Sequence, residues 1–218
     1  RSSACTPRWR SWGKAPAQKE GLTMAKPQAA WENAGFVLRS ARREDAEAYY
    51  RQNYCPLDPE IARLTGCRPE FSHDEVTGFF LACLEDESRY DFLILDPAGN
   101  IIGESVLNEI DPVLRSANFR IAIFHSEACG RGIGSWAIRQ TCGFGFDTLG
   151  LHRISLDVFA FNRRALRAYR KTGFRQEGVL RDAVLDGGRY ADDILMAMLE
   201  QDWQAMQGRP PAAEHGKI

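Results

Sequence analysis

The spacing of apolar positions along this chain switches several times between a period near 3.6 and a period of 2, and each switch marks a change of element. Residues 36–39 form a short apolar segment of strand type, and 41–52 is charged but periodic, as an amphipathic helix is. Pro56, Pro59, Gly66 and Pro69 then break the pattern, leaving a loop with a short helix around 60–64. Ser72 followed by Glu75 is a capping box, after which Val76, Phe79, Phe80, Cys83 and Leu84 fall on one helical face.

Beyond that helix the period falls to 2. Residues 92–95 and 101–107 read as strands joined by the turn residues Asp96, Pro97, Gly99 and Asn100, and Phe119, Ile121 and Ile123 alternate with Arg120 and Ala122 in a third strand. Gly130-Arg131-Gly132-Ile133-Gly134 then opens a helix whose apolar residues run through Ala137, Cys142, Phe146 and Leu149, with Gly143 and Gly145 weakening its last turns. A strand over 153–161 follows, and Asn162 caps a helix over 163–172 that ends at Gly173. Residues 179–185 and 190–198 flank Asp186-Gly187-Gly188 as a final hairpin.

This order predicts one mixed α/β domain over 35–206, with an N-terminal tail at 1–34 and a mobile, proline-containing tail at 207–218. A chain of 218 residues and 24.5 kDa with 44% hydrophobic residues is long enough to bury a sizeable core. Its longest apolar runs fall far short of the roughly 20 residues of a membrane-spanning helix, which excludes that class. Charge excludes another: 28 basic against 29 acidic residues give no global field to draw in nucleic acid. Six cysteines without a CxxC pair and four scattered histidines lack metal-site spacing and read as the reduced thiols of a cytoplasmic protein. Residues 1–23 carry Arg1, Arg8, Arg10, Lys14 and Lys19 against Glu20, so that stretch is +4 and the remainder of a −1 chain is −5. The stretch superficially resembles an organelle transit peptide, but a native start at Met24, with 1–23 non-native, is the simpler expectation.

The candidate chemistry begins at the glycines. A strand that ends in Gly130, Gly132 and Gly134 and runs into a helix puts unobstructed N–H groups at the positive end of a helix dipole. Such a turn serves equally to bind an anion or to let strand and helix pack closely. Gly134-Ser135-Trp136 is not the Gly-Lys-Ser/Thr of a P-loop, and the spacing is not that of a dinucleotide fingerprint.

Gly132 and Gly134, followed downstream by Asn162, Ala165, Tyr169, Gly173 and Phe174, resemble the two hallmark motifs of the GNAT acetyltransferases. Leu156-Asp157-Val158, Glu177-Gly178, Arg181-Asp182, Asp186-Gly187, Tyr190 and Asp192-Asp193 are similar to the branch that holds ribosomal-protein N-terminal and spermidine acetyltransferases. The likeness spans residues 36–203 and is strongest over 117–198.

The resemblance implies a single domain with a central, twisted, mostly antiparallel sheet of about seven strands and about four flanking helices. It implies transfer of an acetyl group from acetyl-CoA to a primary amine within a ternary complex, with no metal. The acceptor it implies first is a protein or peptide N-terminus of ribosomal-protein type; a polyamine or an aminoglycoside-like amine is the alternative. A non-catalytic acyl-CoA-binding module is the reading from another class. Dimerisation is common among relatives, so a homodimer is a further expectation.

Within that scheme the CoA pyrophosphate lies on the N–H groups of Gly130, Arg131, Gly132, Ile133, Gly134 and Ser135, and Asn162 and Arg164 add contacts. The pantetheine arm pairs like an added strand with Ile121, Ala122 and Ile123, where a bulge frees one N–H to polarise the thioester. A leaving thiolate whose acid has a pKa of about 8.5 can take a proton from a phenol at about 10, and Tyr169 stands at the family's position for that acid. By spacing alone it is a core aromatic on a short helix. The base departs from the common pattern, because Asn118 replaces the usual glutamate; Asp157, and after it Glu104 on the neighbouring strand, are the candidate carboxylates, beside proton loss to solvent or assisted by the substrate. Cys129 likewise replaces a Gln or Arg at the head of the glycine motif. Tyr49, Tyr50, Tyr54, Asp58 and Glu60 either line an acceptor pocket or face water.

Overall fold

In the computed structural model, which describes residues 26–208, the alternating segments assemble into one eight-stranded sheet of order β1-β2-β3-β4-β5-β6-β8-β7. The expectations for 1–23 and for the tail beyond Gly208 lie outside the described residues. β1 (Ala30–Asn33) and β2 (Phe36–Ser40) form an edge hairpin, so the sheet begins inside the segment assigned to a tail. β1 has no strong apolar alternation, and pairing with β2 rather than burial defines it.

From β2 the chain runs through α1 (Ala46–Asn53), α2 (Pro59–Thr65) and α3 (His73–Glu85). Ser72 caps α3 as the sequence predicts: its Oγ accepts from the Glu75 N–H while Glu75 Oε2 accepts from the Ser72 N–H at 2.8 Å. β3 (Tyr90–Leu95), β4 (Ile101–Asp111) and β5 (Ser116–Ile123) form an antiparallel meander. α4 (Ile133–Gly143), β6 (Arg153–Phe159), α5 (Arg163–Lys171), β7 (Arg175–Asp186), β8 (Arg189–Leu199) and α6 (Glu200–Met206) complete the domain. All neighbouring strands are antiparallel except β5 and β6.

Strand alternation gives the sheet two covered faces. On one, Phe92, Leu107, Phe119, Ile154 and Met196 pack under α4 and α5; on the other, Leu93, Ile101 and Phe124 pack against Tyr49, Ile61, Val76 and Phe80 of α1–α3. Each such side chain contributes about 1.5–3 kcal/mol by leaving water.

Gly143 and Gly145, which weaken helix propensity, have a packing reason. A Cβ at Gly145 would lie 2.9 Å from Ile154 Cδ1, and one at Gly143 would lie 3.0 Å from Trp203. There α4 gives way to a π-helical turn over Phe144–Thr148, on which α6, an element the apolar pattern does not show, lays Trp203. The indole stacks on Phe146 at 5.9 Å and donates to Asp147 Oδ2 at 3.2 Å.

Candidate active site

Among the described residues the sheet's only parallel pair is also its shortest. β5 and β6 pair over Ser116–Asn118 and Arg153–Ser155 alone, then part, while β5 stays paired to β4 and β6 to β8. Residues 119–123 of β5 and Asp157, Val158 and Phe159 of β6 thereby line a cavity of about 1460 Å³. The free edge of β5 arises by this divergence and not by the bulge the resemblance implies, since the β4–β5 register runs unbroken from Gly103↔Ile123 to Asn108↔Asn118. Ile121 and Ile123 therefore present backbone to the cavity, as an extended ligand pairing with a strand requires, whereas Ala122 turns its backbone to β4, its carbonyl lying against Gly103.

At the mouth of the cleft the glycines adopt the conformation only their lack of a side chain allows. Gly130 and Gly132 stand at φ 78° and 84°, and a Cβ at Gly130, Gly132 or Gly134 would meet no protein atom within 4 Å. Gly132 is the N-cap of α4 and supplies no side-chain hydrogen bond, so the helix's first N–H groups have no cap. Open space, uncapped donors and the positive dipole end coincide there, which fits the residues to a pyrophosphate. Gly130, Gly132, Gly134 and Ser135 line the cavity. Arg131 and Ile133 do not contribute side chains: the Arg131 guanidinium lies 5.4 Å over the Phe36 ring and Ile133 is buried in the core. Burial raises the Cys129 thiol above its ordinary value, the opposite of what a reactive thiolate needs.

α5 brings Asn162, Arg164 and Tyr169 to the same cavity. Asn162 caps α5, its Oδ1 accepting from Ala165 N–H at 3.1 Å, and its amide donates to the Leu64 carbonyl at 3.5 Å, tying α5 to α2. Tyr169 is buried, its ring held edge-on against Phe119 at 6.2 Å and Phe174 at 5.7 Å.

The α1–α3 face of the cleft holds the carboxylates. Strand alternation puts Glu104, Val106 and Asn108 of β4 on one face with Asn118, Arg120 and Ala122 of β5, and the parallel register adds Asp157 of β6. Asn118 is engaged with a second amide, donating to Asn108 Oδ1 at 2.9 Å. Glu104 accepts from Tyr49 Oη–H at 2.6 Å, and burial holds its carboxyl above the usual carboxylate range. Asp86, Glu75 and Glu109 also line this side, together with Arg68, which pairs with Glu75, and Arg89, which pairs with Asp91 at 2.6 Å.

Residues 36–175 match the GNAT acetyltransferase domain. The chain belongs to that family. It is an acetyl-CoA-dependent N-acetyltransferase, and the resemblance carried by Gly132, Gly134, Asn162 and Tyr169 is borne out at the level of family, fold and co-substrate. A spermidine N(1)-acetyltransferase of Vibrio cholerae is 33% identical over 171 residues, covering 78% of this chain and 96% of that protein. A crystal structure of spermidine N-acetyltransferase from Vibrio cholerae in complex with CoA and spermine superposes with a TM-score of 0.70 at 30% identity, over 78% of this chain and 99% of that one. A ribosomal-protein-S5-alanine acetyltransferase from Vibrio fischeri shares the fold, with a TM-score of 0.67 at 21% identity over 80% of this chain and 98% of its own.

Of the N-terminal residues flagged in the sequence, the GNAT fold buries Tyr49 and Tyr54 beneath the cleft. Tyr50 stacks edge-on with His73 at 5.0 Å, Asp58 caps α2, and Glu60 pairs with Arg63. Arg120 and Asn108, which no motif marks, join the cavity wall because they share a strand face with Glu104. Among the described residues no group of His, Cys, Asp or Glu is placed to hold a metal ion, and no helix is long and apolar enough to cross a membrane.

Proposed function

We propose that this enzyme acetylates a polyamine or a similar small cationic amine. The observation that carries the reading is the likeness to spermidine N(1)-acetyltransferase, which extends over nearly the whole of that protein at 33% identity. The cavity supports it. Asp86, Glu104, Glu109 and Asp157 line the acceptor side beside Arg120, while Arg68 and Arg89 are already paired with Glu75 and Asp91. A polycation entering there meets carboxylates in a partly enclosed space where their attraction is screened less than at the surface. A ribosomal-protein or peptide N-terminus, the acceptor implied first by the C-terminal motifs, has a likeness of fold behind it.

In this reading acetyl-CoA lies with its pyrophosphate on the α4 N-terminus and its pantetheine arm along Ile121, Ala122 and Ile123, with Asn162 and Arg164 beside it. A backbone N–H of the free β5 edge polarises the thioester carbonyl as negative charge develops on its oxygen. Tyr169, fixed by Phe119 and Phe174, gives its proton to the leaving sulfur. A cavity-lining carboxylate, Asp157 or Glu104, takes a proton from the acceptor, because an alkylammonium near pKa 10 is not a nucleophile at neutral pH.

Release of CoA thiol from acetyl-CoA across spermidine, spermine, aminoglycosides and peptide N-termini tests the proposal, with Tyr169→Phe alongside. Turnover confined to polyamines and lost in the variant is the expected result. Turnover with peptide N-termini alone refutes the acceptor class. Acetyl-CoA binding without turnover of any amine makes the protein a sensor and refutes the role of Tyr169.

A further inference from the structure

We infer that Tyr49 is a positioning residue for acetyl transfer: by donating its hydroxyl to Glu104 it holds that carboxylate as the base that deprotonates the incoming ammonium. The inference rests on the amine-acetylating reading above and chooses between the two carboxylates left open there. Its starting point is the vacancy left by Asn118. That residue's amide donates to Asn108, so the strand position where a glutamate is usual carries a neutral amide pair unable to accept a proton.

Glu104 restores an acid on the same strand face. It sits on β4 directly across from Ala122, within the β5 segment whose free edge lines the cleft, and it lines the cavity itself. Tyr49 reaches it from α1, 55 residues away in sequence, at 2.6 Å. Behind Tyr49 the Tyr54 hydroxyl lies 3.2 Å away. A carboxylate cannot donate, so the Tyr49 proton is committed to Glu104 Oε2 and Tyr54 donates in turn to Tyr49. The Tyr49 ring is wedged between Phe80 at 4.8 Å and Phe124 at 5.7 Å, which fixes where its hydroxyl points. A phenol in such an aromatic core is costly unless its hydroxyl is bonded. Directing it at one oxygen of a cavity carboxylate leaves Oε1 to serve the substrate.

The charged and titratable groups facing Glu104 act in both directions, and burial decides the net sign. Burial disfavours its ionised form and is the largest influence; Asp91 on β3 acts in the same direction. Arg120 on β5, the Tyr49 hydroxyl and Arg89 oppose it. Tyr54, Cys67 and Cys83, from α1's end and from α2–α3, face the carboxylate and are themselves raised by burial, so they remain neutral. The carboxyl thus stays more basic than a surface glutamate, and the Tyr49 hydrogen bond favours its ionised form.

The step balances. Glu104 takes one proton from the ammonium and returns it to solvent; the amine nitrogen forms its bond to the acetyl carbon as the C–S bond breaks. The nitrogen's second proton replaces the one that Tyr169 gives to sulfur.

The test is the pH dependence of kcat/KM for acetyl transfer to spermidine by wild type, Tyr49→Phe, Tyr54→Phe, Glu104→Gln and Asp157→Asn, with acetyl-CoA affinity measured alongside. Glu104→Gln is expected to lower kcat/KM by about 10²–10⁴-fold with acetyl-CoA affinity intact. Tyr49→Phe removes a hydrogen bond that favours the carboxylate, so the acidic limb moves to higher pH and activity recovers above it. Tyr54→Phe moves it less, in the same direction. A Tyr49→Phe enzyme slowed equally at every pH has lost only packing, and that result overturns the inference. So does wild-type turnover that survives Glu104→Gln while Asp157→Asn abolishes it. Wild-type protein that acetylates no amine overturns the proposed function and this inference together.

Discussion

Gly132 offers a way to separate what the glycine turn does for the fold from what it does for CoA. It bounds α4 at φ 84°, and a Cβ there would touch no protein atom within 4 Å. Gly132→Ala therefore creates no clash and acts through backbone strain. Holding a non-glycine residue in the left-handed region costs about 1–2 kcal/mol, which in a domain of this size lowers Tm by roughly 2–8 °C. Relief of that strain turns the peptide away from the cleft. Losing one hydrogen bond to a charged phosphate costs about 1.5–3 kcal/mol, or roughly 10–150-fold in acetyl-CoA affinity.

Gly134 is the control. Its Cβ position is equally open, but it lies inside α4 without a positive φ. Alanine in a helix gains about 0.5–1 kcal/mol over glycine, so Gly134→Ala should raise Tm by roughly 1–4 °C. Its acetyl-CoA affinity should stay within about threefold of wild type, less than 1 kcal/mol. Calorimetric titration with acetyl-CoA and thermal melts of both variants make the comparison. Wild-type affinity in Gly132→Ala refutes the assignment of the α4 N-terminus as the anion site.

Three further outcomes follow from the packing. Tyr169→Phe should lower kcat by about 10²–10⁴-fold while acetyl-CoA binding and the far-ultraviolet spectrum stay unchanged, because the ring keeps its contacts with Phe119 and Phe174. Burial raises the Glu104 carboxyl, so between its unfolded and folded pKa the native state binds more protons than the unfolded chain and stability falls as pH rises. Urea melts should therefore show wild type gaining on Glu104→Gln as pH is lowered from neutral; parallel pH curves would contradict the raised carboxyl. Trp203→Ala should cost about 3–5 kcal/mol in the same melts, because the indole is buried against Phe146 and covers the π-helical turn.

The fold was legible wherever one local signal and one burial pattern agreed. The Ser72 and Asn162 caps, the alternation through Phe119–Ile123 and the turn at Gly187-Gly188 each recur in the structure as read. What escaped is defined by partners distant in sequence. β1 is an edge strand known only through its pairing to β2, and α6 is a short helix known through Trp203. The bulge expected in β5 is a strand divergence, a property of two strands that neither sequence alone carries. The glycines at 143 and 145 looked like weak helix and proved to be close-approach positions, since their neighbours Trp203 and Ile154 come from other elements.

The site divides in the same way, and the division has a physical reason. The half of the site proposed to hold CoA is built from backbone, and backbone demands leave sequence marks: glycines where φ is positive or a ligand approaches, an asparagine where a helix needs a cap. Its acceptor half is built from side chains that meet across strands and helices. Glu104, Asn108 and Asn118 converge through strand parity, and Tyr49 arrives from α1. Such a half can exchange its residues without disturbing the fold. Asn118 illustrates this, because β5 carries an amide where the resemblance implies a carboxylate, and Glu104 on β4 faces the same cavity. An acceptor preference is thus free to change while the CoA motifs stay fixed, so the substrate has to be sought in the polar groups beneath the cleft and not in the motifs at its rim.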